Sequence, residues 1–234
     1  VDQKTTLASH ASVPGAIIKE GMIYLYFVDV ATDGVAEKIG LMTSKDNGLT
    51  WSNKTAVKFT GTGNKVPVDP APFLMDDGKI RLYYFDINEG RSGTKTTNKI
   101  YSAISPDGIN FTQEEGIRFA KNDIFDPFVL KDGSTWRLYV GQIEGNSVVS
   151  ATSADGLTFT EEGTAYTGGA VPFVHKEGET YYLFTAGINI ATSTNGSKFT
   201  TTGKSFVSGA GKVTADPSVL KLTDGTYLMF YKQQ

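Results

Sequence analysis

Apolar and polar residues along the chain repeat one plan five times. Each copy has a short apolar stretch, a charged turn that ends in glycine, and a second stretch rich in Tyr and Phe. An acidic-Gly turn between two apolar stretches predicts a β-hairpin. The turn glycines are Gly21, Gly78, Gly133, Gly178 and Gly225. Their spacing of about 45 to 57 residues is typical of a repeat architecture and predicts a β-propeller.

A second motif lies between these hairpins. It is a Ser-x-Asp-Gly or Ser-x-Asn-Gly turn followed by an aromatic residue, one residue longer in its first copy. The four copies span residues 44–51, 105–111, 153–159 and 193–199. In such a turn the Ser and Asp side chains bond backbone amides, glycine takes a positive φ, and the aromatic ring fills the blade. The motif resembles the Asp-box of sialidase-like propellers, and we interpret it as a structural turn between outer strands.

Each repeat supplies about four strands, so the sequence predicts an all-β protein with a five-bladed β-propeller fold and four-stranded antiparallel blades. The C-terminal repeat ends after two strands, whereas residues 4–11 are similar to the outer strands of other repeats. We therefore expect the N-terminal strand to join the C-terminal blade and close the ring, which removes an exposed sheet edge. The whole chain, residues 1–234, is expected to be one domain. Its blades are assigned to about residues 12–60, 68–120, 125–167, 170–208, and 214–234 with 1–11.

Three repeats begin their inner strand with Asp-Pro, at Asp69, Asp126 and Asp216. The other two repeats have Val13 and Val171 before the proline. Inner strands of a propeller start at one mouth, so the fold brings these carboxylates together, where burial and mutual repulsion shift their pKa values. Acid and base catalysis on a glycosidic bond uses such a group of carboxylates. An Asp before Pro is also a common turn residue, so a structural role stays open.

The segments 125–128, 131–133 and 215–218 resemble inner-strand motifs of glycoside hydrolase family 43 and of the related β-fructosidases. The resemblance implies cleavage of arabinosides, xylosides or fructosides by an Asp base, an Asp that tunes the pKa of the acid, and a Glu acid. Without a shift of blades it matches Asp126 to the tuning residue and places Val13 and Val171 at the base and acid positions. With a shift of one blade it gives Asp216 as base, Asp126 as acid and Asp69 as the tuning residue.

Four further residues are predicted to bind substrate at the same mouth: Asp86, Arg91, Glu144 and His175. Asp86 ends a second strand, Arg91 and Glu144 lie in loops, and alternation from Val171 turns His175 toward the channel. A solvated loop charge and a core histidine are the alternative interpretations. The resemblance implies that a calcium or sodium ion could occupy the channel near a histidine, but we assign no metal ligands and expect no cofactor.

Composition narrows the class of partner. The net charge is −3 without a basic stripe, which argues against a nucleic-acid partner. No apolar run approaches the roughly 18 residues of a membrane span, and there is no cysteine. The richness in Gly, Thr, Ser and Tyr favours an exported all-β protein, so we expect an extracellular or periplasmic monomer that binds carbohydrate.

Two hypotheses of function follow. The first is a glycosidase that acts on a furanoside or pentose-containing glycan in a central, carboxylate-lined pocket. The alternative is a non-catalytic carbohydrate-binding or scaffold propeller that has lost the acid and the base, in accord with the apolar Val13 and Val171.

Overall fold

The computed structural model describes residues 5–30, 36–90, 96–206 and 213–233, and most of its regular structure is β-strand. Blade 1 is a four-stranded antiparallel sheet whose strands pair in sequence order. Alternating or continuous apolar residues bury its second and third strands, as expected for strands packed on both faces. Its strands are β1 (Ala11–Lys19), β2 (Met22–Asp29), β3 (Lys38–Ser44) and β4 (Thr55–Ala56).

Blade 2 has four antiparallel strands in sequence order and two additional short strands. The short strand β5 runs parallel to β9, and β10 pairs with β8. Residues 58–60, assigned from sequence to the end of blade 1, thus pair within blade 2. The strands are β5 (Lys58–Thr60), β6 (Pro67–Leu74), β7 (Ile80–Asp86), β8 (Thr97–Ser105), β9 (Asn110–Gln113) and β10 (Phe119–Asn122), and the single-turn helix α1 (Ile87–Gly90) follows β7.

Blades 3 and 4 are regular four-stranded sheets, and a two-stranded C-terminal hairpin follows them. Blade 3 comprises β11 (Ile124–Asp132), β12 (Thr135–Gln142), β13 (Ser147–Ser153) and β14 (Thr160–Thr167). Blade 4 comprises β15 (Phe173–Glu177), β16 (Thr180–Thr185), β17 (Asn189–Ser193) and β18 (Thr200–Ser205), with a 3₁₀ turn at Ala186–Ile188. The C-terminal hairpin comprises β19 (Thr214–Lys221) and β20 (Tyr227–Gln233). The described residues include no helix with the length and hydropathy of a membrane span.

The all-β propeller predicted from sequence is confirmed, but the predicted number of blades is wrong. The described residues form four blades, not five, because the last repeat contributes only the C-terminal hairpin. The predicted closure by an N-terminal strand is not found: residues 5–10 contain no strand. Leu7 and Ala8 instead pack against the apolar core between blade 1 and the C-terminal hairpin. A groove of about 1120 Å³ therefore lies beside β20, lined by residues of β20 and by residues 5–8.

A repeated tyrosine contact joins neighbouring blades. Tyrosines on the second strands of blades 1, 2 and 3 are fully buried and donate hydrogen bonds of 2.6 to 2.9 Å to a glycine carbonyl in the next blade. The pairs are Tyr26 with Gly108, Tyr83 with Gly156, and Tyr139 with Gly196. These glycines belong to the Ser-x-Asp/Asn-Gly turns, which join the third and fourth strands of each blade. In blade 4 and in the C-terminal hairpin the same register position holds Phe184 and Phe230, which have no hydroxyl.

The inner strands share one backbone distortion at the residue that precedes proline. Its φ is positive in all five repeats: Val13 47°, Asp69 53°, Asp126 46°, Val171 61° and Asp216 54°. The pairing of β1, β6, β11 and β19 shifts register at this point. Positive φ is rare for a β-branched residue. Val13 and Val171 therefore indicate that the fold imposes the bend, whichever side chain is present.

Candidate active site in the central channel

The five inner strands surround a cavity of about 40 Å³. Each repeat contributes the residues around its Xaa-Pro bend, namely 13–16, 70–72, 126–128, 171–173 and 216–218. The strands β1, β6, β11, β15 and β19 contact one another in this order, and β19 contacts β1. Residues more than two hundred positions apart in the chain therefore meet at this cavity.

Asp69 and Asp126 form a hydrogen-bonded carboxyl pair. Asp126 is 7% exposed, and the Oδ2 atom of Asp69 accepts a hydrogen bond of 3.3 Å from the backbone N–H of Asp126. Burial, with the negative charges of Asp69 and Asp216, raises the pKa of Asp126 well above its usual range. Burial also raises the pKa of Asp69 to about 6, although its hydrogen bonds from Asp126 oppose the rise. Both carboxyls therefore bind a proton more readily than an exposed aspartate does.

Asp216 lies on the C-terminal hairpin and reaches the neighbouring blade. Its side chain is 9% exposed in the fold, and its Oδ2 atom accepts a hydrogen bond of 3.1 Å from the backbone N–H of Val13. Burial raises the pKa of Asp216, while the bond from Val13 and the positive charge of Lys232 oppose this rise. Asp69 and Asp216 thus have the same structural role, since each carboxylate joins its inner strand to that of the next repeat. The structural role left open by the sequence is present, and it coexists with the carboxylate cluster.

Asp86, Glu144 and His175, three of the residues predicted to bind substrate, are not among those that line the cavity. Asp86 is 6% exposed and accepts hydrogen bonds from the backbone N–H groups of Val66 and Asn88, so it holds the loop after β7. Glu144 is exposed in the loop between β12 and β13. Arg91 lies outside the described residues.

His175 is the middle residue of β15 and lies four positions after Val171, which corresponds to roughly 13 Å of extended chain. Its Nε2 atom is 3.2 Å from Oε2 of Glu177, and its ring meets Tyr227 edge-on at 5.5 Å. The structure thus connects His175 to the C-terminal hairpin and not to the carboxylates.

The calcium or sodium ion that the resemblance implies stays a prediction. No group of three or more His, Asp or Glu side chains in the described part of the chain is arranged to hold a metal ion.

Ser218 is a cavity residue that the sequence did not point to. It is two positions after Asp216 and fully buried. The corresponding positions hold Gly15, Ala71, Phe128 and Phe173, each opposite the same register position of the second strand. Only a comparison of the repeats at this position could have distinguished its hydroxyl from an ordinary strand serine.

Comparison with known proteins connects the fold to glycoside hydrolases. No protein-family model and no curated protein sequence matches the chain. An endo-1,4-β-xylanase from Bacteroides thetaiotaomicron superposes with a TM-score of 0.75 at 18% identity, covering 96% of this chain and 85% of that chain. A thermostable family-43 glycoside hydrolase gives 0.76 at 17% identity, covering 96% and 84%. A family 43 enzyme from Xanthomonas citri in complex with xylotriose gives 0.66 at 17% identity, covering 95% and 81%. The resemblance to glycoside hydrolase propellers is therefore confirmed at the level of the fold.

Proposed function

We propose that this protein is a glycoside hydrolase that acts on a furanoside or pentose-containing glycan. The observation that supports it is that Asp126 and Asp216 line one small cavity, that Asp69 is hydrogen-bonded to Asp126, and that all three carboxyls have raised pKa values. The turn carboxylates Asp107 and Asp155 have lowered pKa values instead, because they accept hydrogen bonds from the turn backbone. A raised pKa keeps a carboxyl protonated near neutral pH, which a general acid requires.

The three carboxyls take different roles in a single displacement. Asp126 is the general acid and gives its proton to the leaving oxygen of the glycosidic bond. Asp216 is the general base and takes a proton from the water that attacks the anomeric carbon. Asp69 tunes the acid, because its negative charge and its hydrogen bond favour the protonated form of Asp126.

The cavity itself is smaller than a sugar ring, so the glycan lies across the mouth above the carboxyls. A family 43 enzyme of the same fold was solved with xylotriose, a chain of pentoses. This supports a pentose-containing glycan as the substrate class.

The proposal is tested with nitrophenyl arabinofuranoside, xyloside, fructoside and mannoside probes. We expect turnover of at least one furanoside or pentoside, and a loss of about 100-fold or more in Asp126→Asn and Asp216→Asn. Asp77→Asn is the matched control, because Asp77 is an exposed turn residue whose carboxylate bonds Lys79. Activity that survives unchanged in both channel variants would refute the assignment.

A second candidate is a carbohydrate-binding propeller without catalysis. The small cavity and the deep burial of Asp126 and Asp216 favour it, because a catalytic carboxyl must reach its substrate. Binding on a glycan array without turnover of any probe would select this function over the first.

A further inference from the structure

The chain contains two Asn-Gly pairs, Asn47-Gly48 and Asn195-Gly196, and both lie in Ser-x-Asp/Asn-Gly turns. An Asn-Gly pair can deamidate without an enzyme, because glycine has no Cβ and its backbone nitrogen is unhindered in attacking the side-chain carbonyl carbon of the asparagine. Both asparagines are exposed. In both turns the glycine N–H donates to the Oγ atom of the first serine of the turn, at 2.9 and 3.0 Å. These features therefore do not distinguish the two sites.

The side chain of Asn195 is held by the backbone of its own turn. Its Oδ1 atom accepts hydrogen bonds from the N–H groups of Ser197 and Lys198, at 3.0 and 3.2 Å, and from the Ser193 hydroxyl at 2.9 Å. The aspartates at this position in blades 2 and 3 accept the same bonds. Ring closure would move the Asn195 side-chain carbonyl away from all three donors, so these bonds protect this asparagine.

The side chain of Asn47 is not held in this way. The turn of blade 1 is one residue longer, and the preceding residue, Asp46, accepts the bonds instead, from the Ser44 hydroxyl at 2.8 Å and from the Thr50 N–H at 2.9 Å. The Asn47 side chain makes no hydrogen bond with any residue that the structure describes. It can therefore turn its carbonyl carbon toward the Gly48 nitrogen without breaking a bond of its own.

The turn that contains Asn47 packs against the C-terminal hairpin. A Cβ atom on Gly48 would lie 2.8 Å from Cδ1 of Leu228, so the backbone approaches β20 closely here. The Gly48 carbonyl accepts a hydrogen bond of 3.0 Å from the indole N–H of Trp51, whose ring meets Phe230 edge-on at 5.6 Å. A longer backbone between residues 47 and 48 would therefore displace contacts between blade 1 and this hairpin.

We propose that Asn47 deamidates spontaneously in the folded protein and that its isoaspartate product loosens the contact between blade 1 and the C-terminal hairpin. In the first step the Gly48 nitrogen loses its proton and bonds to Cγ of Asn47, and the Cγ–Nδ2 bond breaks with release of ammonia. Water then adds to one of the two carbonyl carbons of the ring and opens it to aspartate or isoaspartate. Isoaspartate has one additional methylene group in the main chain, and either product carries a negative charge that asparagine lacks. The inference does not depend on the proposed function.

The first test follows both asparagines in one sample of the intact protein, aged at mildly alkaline pH. Digestion in acid and peptide mass spectrometry measure the gain of about 1 Da at each site. We expect Asn47 to deamidate about tenfold faster than Asn195, or more, because only Asn195 must break hydrogen bonds. In urea the two sites should react at similar rates. Equal rates in the folded protein, or the same difference in urea, would overturn the inference.

The second test measures the effect on the hairpin. Asn47→Gln is the matched control, because glutamine would have to close a larger ring and reacts far more slowly. Each protein is compared with its own fresh sample by amide hydrogen exchange and mass spectrometry. We expect ageing to speed the exchange of β20 about threefold or more in the wild-type protein and to leave it unchanged in Asn47→Gln. A rise in both proteins, or in neither, would overturn the proposed loosening. Neither test requires turnover, so a protein without glycosidase activity would contradict the proposed function alone.

Discussion

At the scale of single residues, the channel aspartates hold strands together as carboxylates and also have raised pKa values. These two properties usually exclude each other. The Asp69 and Asp216 side chains hold neighbouring inner strands through backbone N–H groups, which favours the charged carboxylate. Burial in a narrow channel disfavours that charge and prevails, so both pKa values are raised. The fold thus tolerates costly charges at its centre, as expected where residues serve a function at the expense of stability.

The raised pKa values predict how stability changes with pH. A carboxyl whose pKa is higher in the folded than in the unfolded state binds more protons when folded, so its contribution falls as pH rises. For Asp69 this loss runs from about pH 4 to about pH 6. We expect Asp126→Asn to flatten the decline in unfolding free energy between pH 4 and 7, measured by urea denaturation. The Asp77→Asn control should keep the wild-type slope, and an unchanged slope in Asp126→Asn would contradict the raised pKa values.

At the scale of elements, the hairpins were predictable in every repeat, whereas the outer strands were predictable only where the Ser-x-Asp/Asn-Gly turn marks them. Acidic-Gly turns fix the first two strands of every repeat, and all five predicted hairpins are present. The count of blades failed because the repeat counts hairpins, whereas a blade also needs third and fourth strands that the last repeat does not supply. His175 was misplaced for a related reason, since alternation gives the face of a strand but not the distance along it.

The tyrosine hydroxyls that bond neighbouring blades are predicted to contribute to the free energy of unfolding. Tyr139→Phe removes the donor to the Gly196 carbonyl and leaves that buried acceptor unpaired, so we expect a loss of about 1 to 2 kcal/mol in unfolding free energy. Tyr182→Phe is the control on the neighbouring blade, because Tyr182 is only partly buried. Equal losses in both variants, measured by denaturation, would show that the contact adds nothing beyond the ring itself.

At the scale of the whole molecule, sequence repetition predicted which residues meet but not how tightly they are enclosed. The convergence of Asp69, Asp126 and Asp216 follows from their equivalent places in the repeat. Their burial, their hydrogen bonds and the burial of Ser218 depend on packing between repeats, which no single segment encodes. Asp86 shows the same limit, since its bonds to Val66 and Asn88 arise from a loop conformation that alternation cannot predict.

The contacts between neighbouring repeats differ, and this difference predicts which part of the molecule unfolds locally first. Tyrosine contacts secure blades 1 to 4, whereas the C-terminal hairpin has neither that contact nor a third strand within the described residues. We expect amide hydrogens of β20 to exchange with solvent at least tenfold faster than those of β12, measured by mass spectrometry of the native protein. Equal protection of the two strands would contradict this order.

Phe230 occupies the tyrosine position of the C-terminal hairpin, and this affects how long the carboxylate cluster stays assembled. Asp216 is carried by the weakest joint of the ring, whereas Asp69 and Asp126 sit within well-secured blades. Each loosening of that joint moves the proposed base away, while the proposed acid and its tuning residue stay in place. The carboxylate cluster would then alternate between a complete state and a state without Asp216, with no large change in the fold.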